Sequence, residues 1–274
     1  MHSIIVPLDG STSSERALRA AYAIAERAGV EVIALLVRTR PDEQVDELER
    51  YLRSAVERFA DSAPTSVLVV DGEPAAGILD AADRPDTLVC MASHGRAGLN
   101  RLVRGSVAEE VVRRSGAPVV VVGPNGANVP LRSERAHLVL CTDGSPAAET
   151  AIPATSSFVR SLALTCDVIH ATPPDADVSL ELLPAPVPVR QWAERACQQF
   201  VDELHAAGVD ATPHLLFGEP AGAIAGHARA THASFVAVAT HGRTGLARAA
   251  LGSTAVDIVR LSPCPVLVAP ANTG

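Results

Sequence analysis

The chain has 274 residues, a formal charge of −8 and 3% aromatic residues, a balance that argues against a nucleic-acid binder, which needs a basic stripe and stacking rings. All 23 basic residues are arginine, and the absence of lysine excludes Schiff-base catalysis, a P-loop lysine and the kinase strand lysine. Cys90, Cys141, Cys166, Cys197 and Cys264 never pair as C-x-x-C, so they read as small buried hydrophobes in a reducing compartment.

Short runs of aliphatic and β-branched residues open the chain order: Ser3–Leu8, Val32–Val37, Ser66–Val70, Leu88–Ala92 and Val119–Val122. They are apolar on both faces, which marks strands buried between two helical layers. Helical periodicity lies between them. Leu18, Ala21, Ala25 and Ala28 share one face of a first helix, with Ser11 expected as its N-cap and Gly29 as its terminator. Val45, Leu48, Leu52, Val56 and Phe59 share one face of a second. The polar, breaker-rich stretch from Gly123 to Pro130 then reads as a linker. Strand spacing resumes at His137–Cys141, Asp167–Ala171, His214–Phe217, Phe235–Ala239 and Val266–Ala269, with Pro146 directly after a Ser145 N-cap. Alternation through five strands, twice, predicts parallel, doubly wound α/β sheets with right-handed crossovers.

The second half repeats the first. Asp9-Gly10-Ser11 returns as Asp143-Gly144-Ser145, and Gly72-Glu73-Pro74-Ala75 as Gly218-Glu219-Pro220-Ala221. Ala92-Ser93-His94-Gly95-Arg96 returns as Ala239-Thr240-His241-Gly242-Arg243, and in both copies nine residues separate the glycine from Gly105-Ser106 or Gly252-Ser253. A repeat of half the chain means two copies of one domain rather than a solenoid. The expected boundaries are domain 1 over 1–123, a linker over 124–135 and domain 2 over 136–274. The second copy also carries an excess of 12 residues between its second strand and Gly218, in the Pro/Asp/Ala-rich segment Pro173–Pro188. It reads either as a cover for a ligand site or as a tolerated surface insertion.

The repeated polar segments should meet at the carboxyl ends of the first, second and fourth strands, where reversal of strand order opens a crevice. Asp9 and Asp143 end the first strands; a carboxylate there suits a ribose hydroxyl, a base amino group or a metal, although Asp-Gly is also ordinary turn chemistry. Gly105-Ser106 and Gly252-Ser253 open helices, beginning Val107 and Thr254, whose N-termini and small residues suit an anion. Arg96 and Arg243 add a fork for phosphate oxygens.

These motifs resemble those of the universal stress proteins, over essentially the whole chain, as a tandem member of the adenine-nucleotide α-hydrolase-like superfamily. ATP-binding members carry G-x2-G-x9-G-[ST] after the fourth strand. The resemblance implies a five-stranded parallel sheet of order 3-2-1-4-5 in each Rossmann-like domain. It implies that Asp9 and Asp143 contact adenosine, that Gly10 and Gly144 belong to the nucleotide site, and that the backbones of Val37 and Ala171 hold the adenine. His94, Gly95, Arg96, Gly105, Ser106 and Val107, with His241, Gly242, Arg243, Gly252, Ser253 and Thr254, would line ribose and phosphates. The first motif glycine is replaced by Ala92 and Ala239, harmless if the backbone there has negative φ and obstructive if the methyl crowds the ribose. The resemblance also implies antiparallel pairing of the two fifth strands, hence an internal pseudo-dimer, and by analogy a homodimer.

Neither His94 nor His241 has a triad, metal-ligand set or paired carboxylates at fixed spacing, so a structural role beside the phosphates is expected. The S-G-G-x-D-S and H-x-G-H patterns of ATP pyrophosphatases and nucleotidyl transferases are missing. No catalytic residue and no protein-held metal are expected; Mg²⁺ would enter only on ATP. The expectation is a cytoplasmic, ATP-binding stress-response regulator with one site per domain, and no signal peptide or membrane span. The alternatives are a slow ATPase and a nucleotide-free interaction module.

Overall fold

A computed structural model describes residues 1–59, 62–93, 107–126, 129, 131, 136–172, 189–239 and 252–270. Its first five strands are β1 (Ser3–Pro7), β2 (Glu31–Arg38), β3 (Thr65–Asp71), β4 (Thr87–Ala92) and β5 (Val119–Val122). Between them lie α1 (Arg16–Ala28), α2 (Val45–Glu57), α3 (Pro74–Ala82) and α4 (Val107–Arg114). The second set comprises β6 (His137–Cys141), β7 (Thr165–Thr172), β8 (Ala211–Phe217), β9 (Phe235–Ala239) and β10 (Val266–Ala269). Its helices are α5 (Pro146–Glu149), α6 (Ile152–Ser161), α7 (Val189–Ala206), α8 (Pro220–Ala230) and α9 (Ser253–Leu261).

Each set forms a parallel sheet of order 3-2-1-4-5 within one ten-stranded array, β3-β2-β1-β4-β5-β10-β9-β6-β7-β8. The seam is antiparallel, with Val121 opposite Val266, Val120 opposite Leu267 and Val119 opposite Val268. The burial of β5 and β10 follows from this pairing: all eight of their residues are buried, whereas an apolar strand left at a water-facing edge invites aggregation. The outer strands β3 and β8 are correspondingly half-exposed along most of their length.

Two apolar layers cover the sheet. One packs α1, α2, α6 and α7 against residues such as Ile4, Leu35's neighbours Ala34 and Leu36, Leu138 and Leu140. The other packs α3, α4, α8 and α9 against Ile5, Leu35, Val139 and Val236. Alternate residues of each strand therefore enter opposite layers, which is why these strands read as continuous apolar runs.

Helix termini follow local chemistry, with one correction. Gly29 closes α1 at φ 67°, donating its N–H to Ala25, a left-handed C-cap that favours glycine. The expected Ser11 N-cap is not the cap of α1, which starts at Arg16 behind Glu15 without a side-chain cap bond. Ser11 instead spends its Oγ on the Ser14 N–H and on Asp9, closing a separate turn before the helix. Ser145 does cap α5, accepting from the Ala148 N–H at 3.2 Å, with Pro146 in the first turn. Glu73 and Glu219 cap α3 and α8 in the same manner, each followed by proline. Among the described residues no helix is long and apolar enough to cross a membrane.

Candidate functional site

The carboxyl ends of β1 and β6 carry matching turns. Asp9 Oδ1 accepts from the Ser11 N–H at 3.0 Å and the Ser11 hydroxyl at 2.6 Å; Asp143 Oδ1 accepts from Ser145 at the same two distances. Gly10 and Gly144 sit at φ 82° and 69°, where a Cβ is disfavoured. At Gly144 a Cβ would also stand 2.6 Å from the Trp192 ring on α7. One carboxylate oxygen thus holds each turn at the carboxyl end of the strand.

The register sets what stands beside these aspartates. Pro7 lies level with Leu35 and Cys141 with Ile169, so Asp9 and Asp143 fall level with Val37 and Ala171 on the neighbouring strands. Ala92 and Ala239 end β4 and β9 on the other side of the crevice. Both are extended, and neither is among the positive-φ residues. Glycine is thus not required there by backbone conformation.

In the second copy these elements enclose a cavity of about 290 Å³, at the small end of ligand pockets. Its walls include Asp143, Ala171, Ala239, Gly252, Ser253 and Thr254, with Ile224 of α8 and Ala148 as apolar surface. The N-terminus of α9 opens onto it. Gly252 is the N-cap at φ −61° and ψ 154°, and no side chain caps the helix, so the first-turn N–H groups and the positive end of the dipole face the cavity side. Among the described residues, a Cβ on Gly252 would meet nothing within 4 Å. Neither strain nor protein packing accounts for a glycine there, whereas an uncrowded helix N-terminus suits an anion.

In the first copy Val107 begins α4 and is exposed. Here Val37 stands where the second copy has Ala171, and Gly77 of α3 accommodates it: a Cβ at 77 would lie 2.9 Å from Val37 Cγ2. His94, Gly95, Arg96, Gly105 and Ser106, their counterparts His241, Gly242 and Arg243, and the segment Pro173–Pro188 lie outside the described residues.

The profile of the universal stress protein family matches residues 1–123 and 134–270. The chain belongs to that family. A universal stress protein of Mycobacterium tuberculosis is 28% identical over 186 residues, covering 66% of this chain and 61% of its own length; the chain thus spans about three-fifths of that relative. A second from the same organism is 33% identical over 137 residues, 43% of each chain. The solved universal stress protein of Archaeoglobus fulgidus superposes over 99% of this chain and 97% of its own, at 19% identity and a TM-score of 0.67, which supports the shared fold.

One group of side chains carries no contiguous motif in the sequence. Asp167 on β7, His214 on β8 and His227 on α8 bring their carboxylate and imidazole atoms within 4.8 Å of one another, and His137 Nε2 lies 3.7 Å from Asp167 Oδ2. These residues fall on separate elements at no motif spacing.

Proposed function

We propose that this universal stress protein binds adenine nucleotide, ATP with Mg²⁺ carried on its phosphates, at one site per half, and acts as a stress-response regulator through occupancy rather than turnover. The observation that carries this reading is the cavity at the carboxyl edge of the second sheet, where residues from β6, β7, β9 and the N-terminus of α9 converge. Asp143 would take adenosine hydroxyl or amino donors, the Ala171 backbone the base, and the α9 N-terminus the phosphates. Asp9, Gly10, Val37, Ala92 and Val107 would serve the first copy. The loop residues His94, Gly95, Arg96, Gly105 and Ser106, and His241, Gly242 and Arg243, would complete the two phosphate cradles. The extended backbone of Ala92 and Ala239 supports retained binding despite the missing motif glycine.

In this reading the units are 1–123 and 136–274, joined by 124–135, and the antiparallel β5–β10 seam supports an internal pseudo-dimer. A homodimer of the chain, a cytoplasmic location and the absence of nucleic-acid partners complete the proposal; charge and composition support the last. Mass spectrometry of the purified, denatured protein tests the ligand. Co-released ATP is the expected result, ADP alone would favour a slow ATPase, and the absence of nucleotide after ATP loading would favour a nucleotide-free interaction module.

A further inference from the structure

The second copy holds a cluster remote from the nucleotide crevice, toward the amino ends of the strands, where four polar side chains converge under α8. His227 Nε2 is 3.2 Å from Asp167 Oδ2, His214 Nε2 is 3.5 Å from Asp167 Oδ1, and His137 Nε2 is 3.7 Å from Asp167 Oδ2. Only the first distance is that of a hydrogen bond; the other two are too long. Three imidazoles therefore present the same nitrogen to one carboxylate, and two stop short of it. His137 Nε2 also lies 3.0 Å from Thr231 Oγ1. Tetrahedral zinc with bonds of about 2.0–2.1 Å spaces its donors about 3.3 Å apart, close to what the carboxylate–imidazole pairs already show. His214, the most exposed member and sited on the outer strand β8, has room to complete the closure.

The duplication supplies an internal comparison. Matching strand registers equate Asp167 with Ile33 and His214 with Leu68, and His137 with Ser3; the proline-led helices α3 and α8 equate His227 with Ala81. In the first copy Ile33 and Ala81 are buried in the apolar layer and Leu68 packs on it. At those three positions the fold thus needs no polar side chain for stability. Yet the second copy replaces all four positions together, with three imidazoles and one carboxylate. Burying such groups is costly unless something pairs with them, and replacing a single position would have left no ligand set.

We propose that Asp167, His214 and His227 form a binding site for a divalent transition ion of the zinc class in the second domain only, with His137, whose Nε2 lies 3.0 Å from Thr231 Oγ1, beside it. Nitrogen donors select zinc, and also copper or nickel, over magnesium and calcium, which take oxygen ligands. Asp167 and His214 are partly open to solvent, so water can enter the coordination shell.

The test uses the untagged full chain, stripped with a chelator and titrated with ZnCl₂ by calorimetry, with metal analysis of the dialysed protein. The expected result is one zinc per chain, undisturbed by excess Mg²⁺. The His214→Leu/His227→Ala double variant carries the first copy's own residues and is expected to fold; it should lose affinity by more than roughly the 10–100-fold typical of outer-shell changes. Co²⁺ provides a second readout, a tetrahedral ligand-field spectrum present in the parent and absent from the variant. Zinc binding undiminished in the folded double variant, or no saturable binding by the parent, would overturn the proposal. Either result stands independently of nucleotide binding.

Discussion

Replacing Gly252 with glutamate places a carboxylate at the mouth of α9, where the proposed site holds phosphate. The backbone, at φ −61° and ψ 154°, accepts any residue, and among the described residues the new Cβ meets nothing within 4 Å. Loss of a favourable N-cap residue sets the folding cost, at most about 1 kcal/mol. Binding suffers far more. With the carboxylate about 6 Å from a phosphate charge and an effective dielectric near 20, each unit of charge costs about 2.8 kcal/mol, roughly a hundredfold in affinity. Isothermal titration with Mg·ATP should show the stoichiometry falling from two to one in Gly252→Glu, and to none when Gly105→Glu is added, while thermal melts stay within a few degrees of the parent. Two equivalents bound at parental affinity by the folded double variant would refute the assignment of these helix N-termini to phosphate.

Three further outcomes are expected. Ala92→Gly with Ala239→Gly should change ATP affinity by less than about 1 kcal/mol, because both backbones are extended and gain no needed freedom; tightening beyond about tenfold in the same titration would mean that the methyl groups crowd the ribose. Val120→Glu with Val268→Glu puts unpaired carboxylates at positions exposed by 0% and 1% in the β5–β10 seam, and limited proteolysis should then release two fragments of about half the chain; unchanged cleavage kinetics would contradict the internal pseudo-dimer. Burial pushes the Cys197 and Cys264 thiols up to about 11 and Cys166 to about 12. Below those values the reactive thiolate is scarce, so iodoacetamide at pH 8 should label these residues only after denaturation; prompt labelling of the native protein would contradict their burial.

Strand positions were legible because two-sided burial writes itself as unbroken aliphatic runs: β5, β6, β9 and β10 fall on the expected residues, while β2, β3, β7 and β8 extend beyond the expected runs through less apolar ends such as Glu31, Thr65 and Ala211. The Ser11 cap was misread, since a serine before an apolar periodic run can close a separate turn as readily as a helix, and only the Asp9 and Ser14 contacts distinguish the two. The break between α5 and α6 is marked by Pro153 in the first turn of α6, a position where proline starts a helix and cannot continue one. In the candidate site, duplication exposed Asp143, Ala171, Ala239 and Gly252 because two copies of one motif share their spacing. The same comparison could have found the histidine cluster, by difference rather than likeness. Its members stand where the first copy has Ser3, Ile33, Leu68 and Ala81, an equivalence set by strand register and by the proline-led starts of α3 and α8 that no contiguous motif announces.

Trp192 allows the central claim to be measured site by site. It is the sole tryptophan, and its ring lies against the Asp143-Gly144 turn and edge-on to His170, with ring centroids 5.2 Å apart. Equilibrium titration of the full chain with Mg·ATP, followed by both heat and tryptophan fluorescence, should give two equivalents bound, of which one alone changes the fluorescence. That change should disappear in Gly252→Glu. Saturating ATP that neither releases heat nor alters the Trp192 signal, with no bound nucleotide recovered by equilibrium dialysis, would contradict the account.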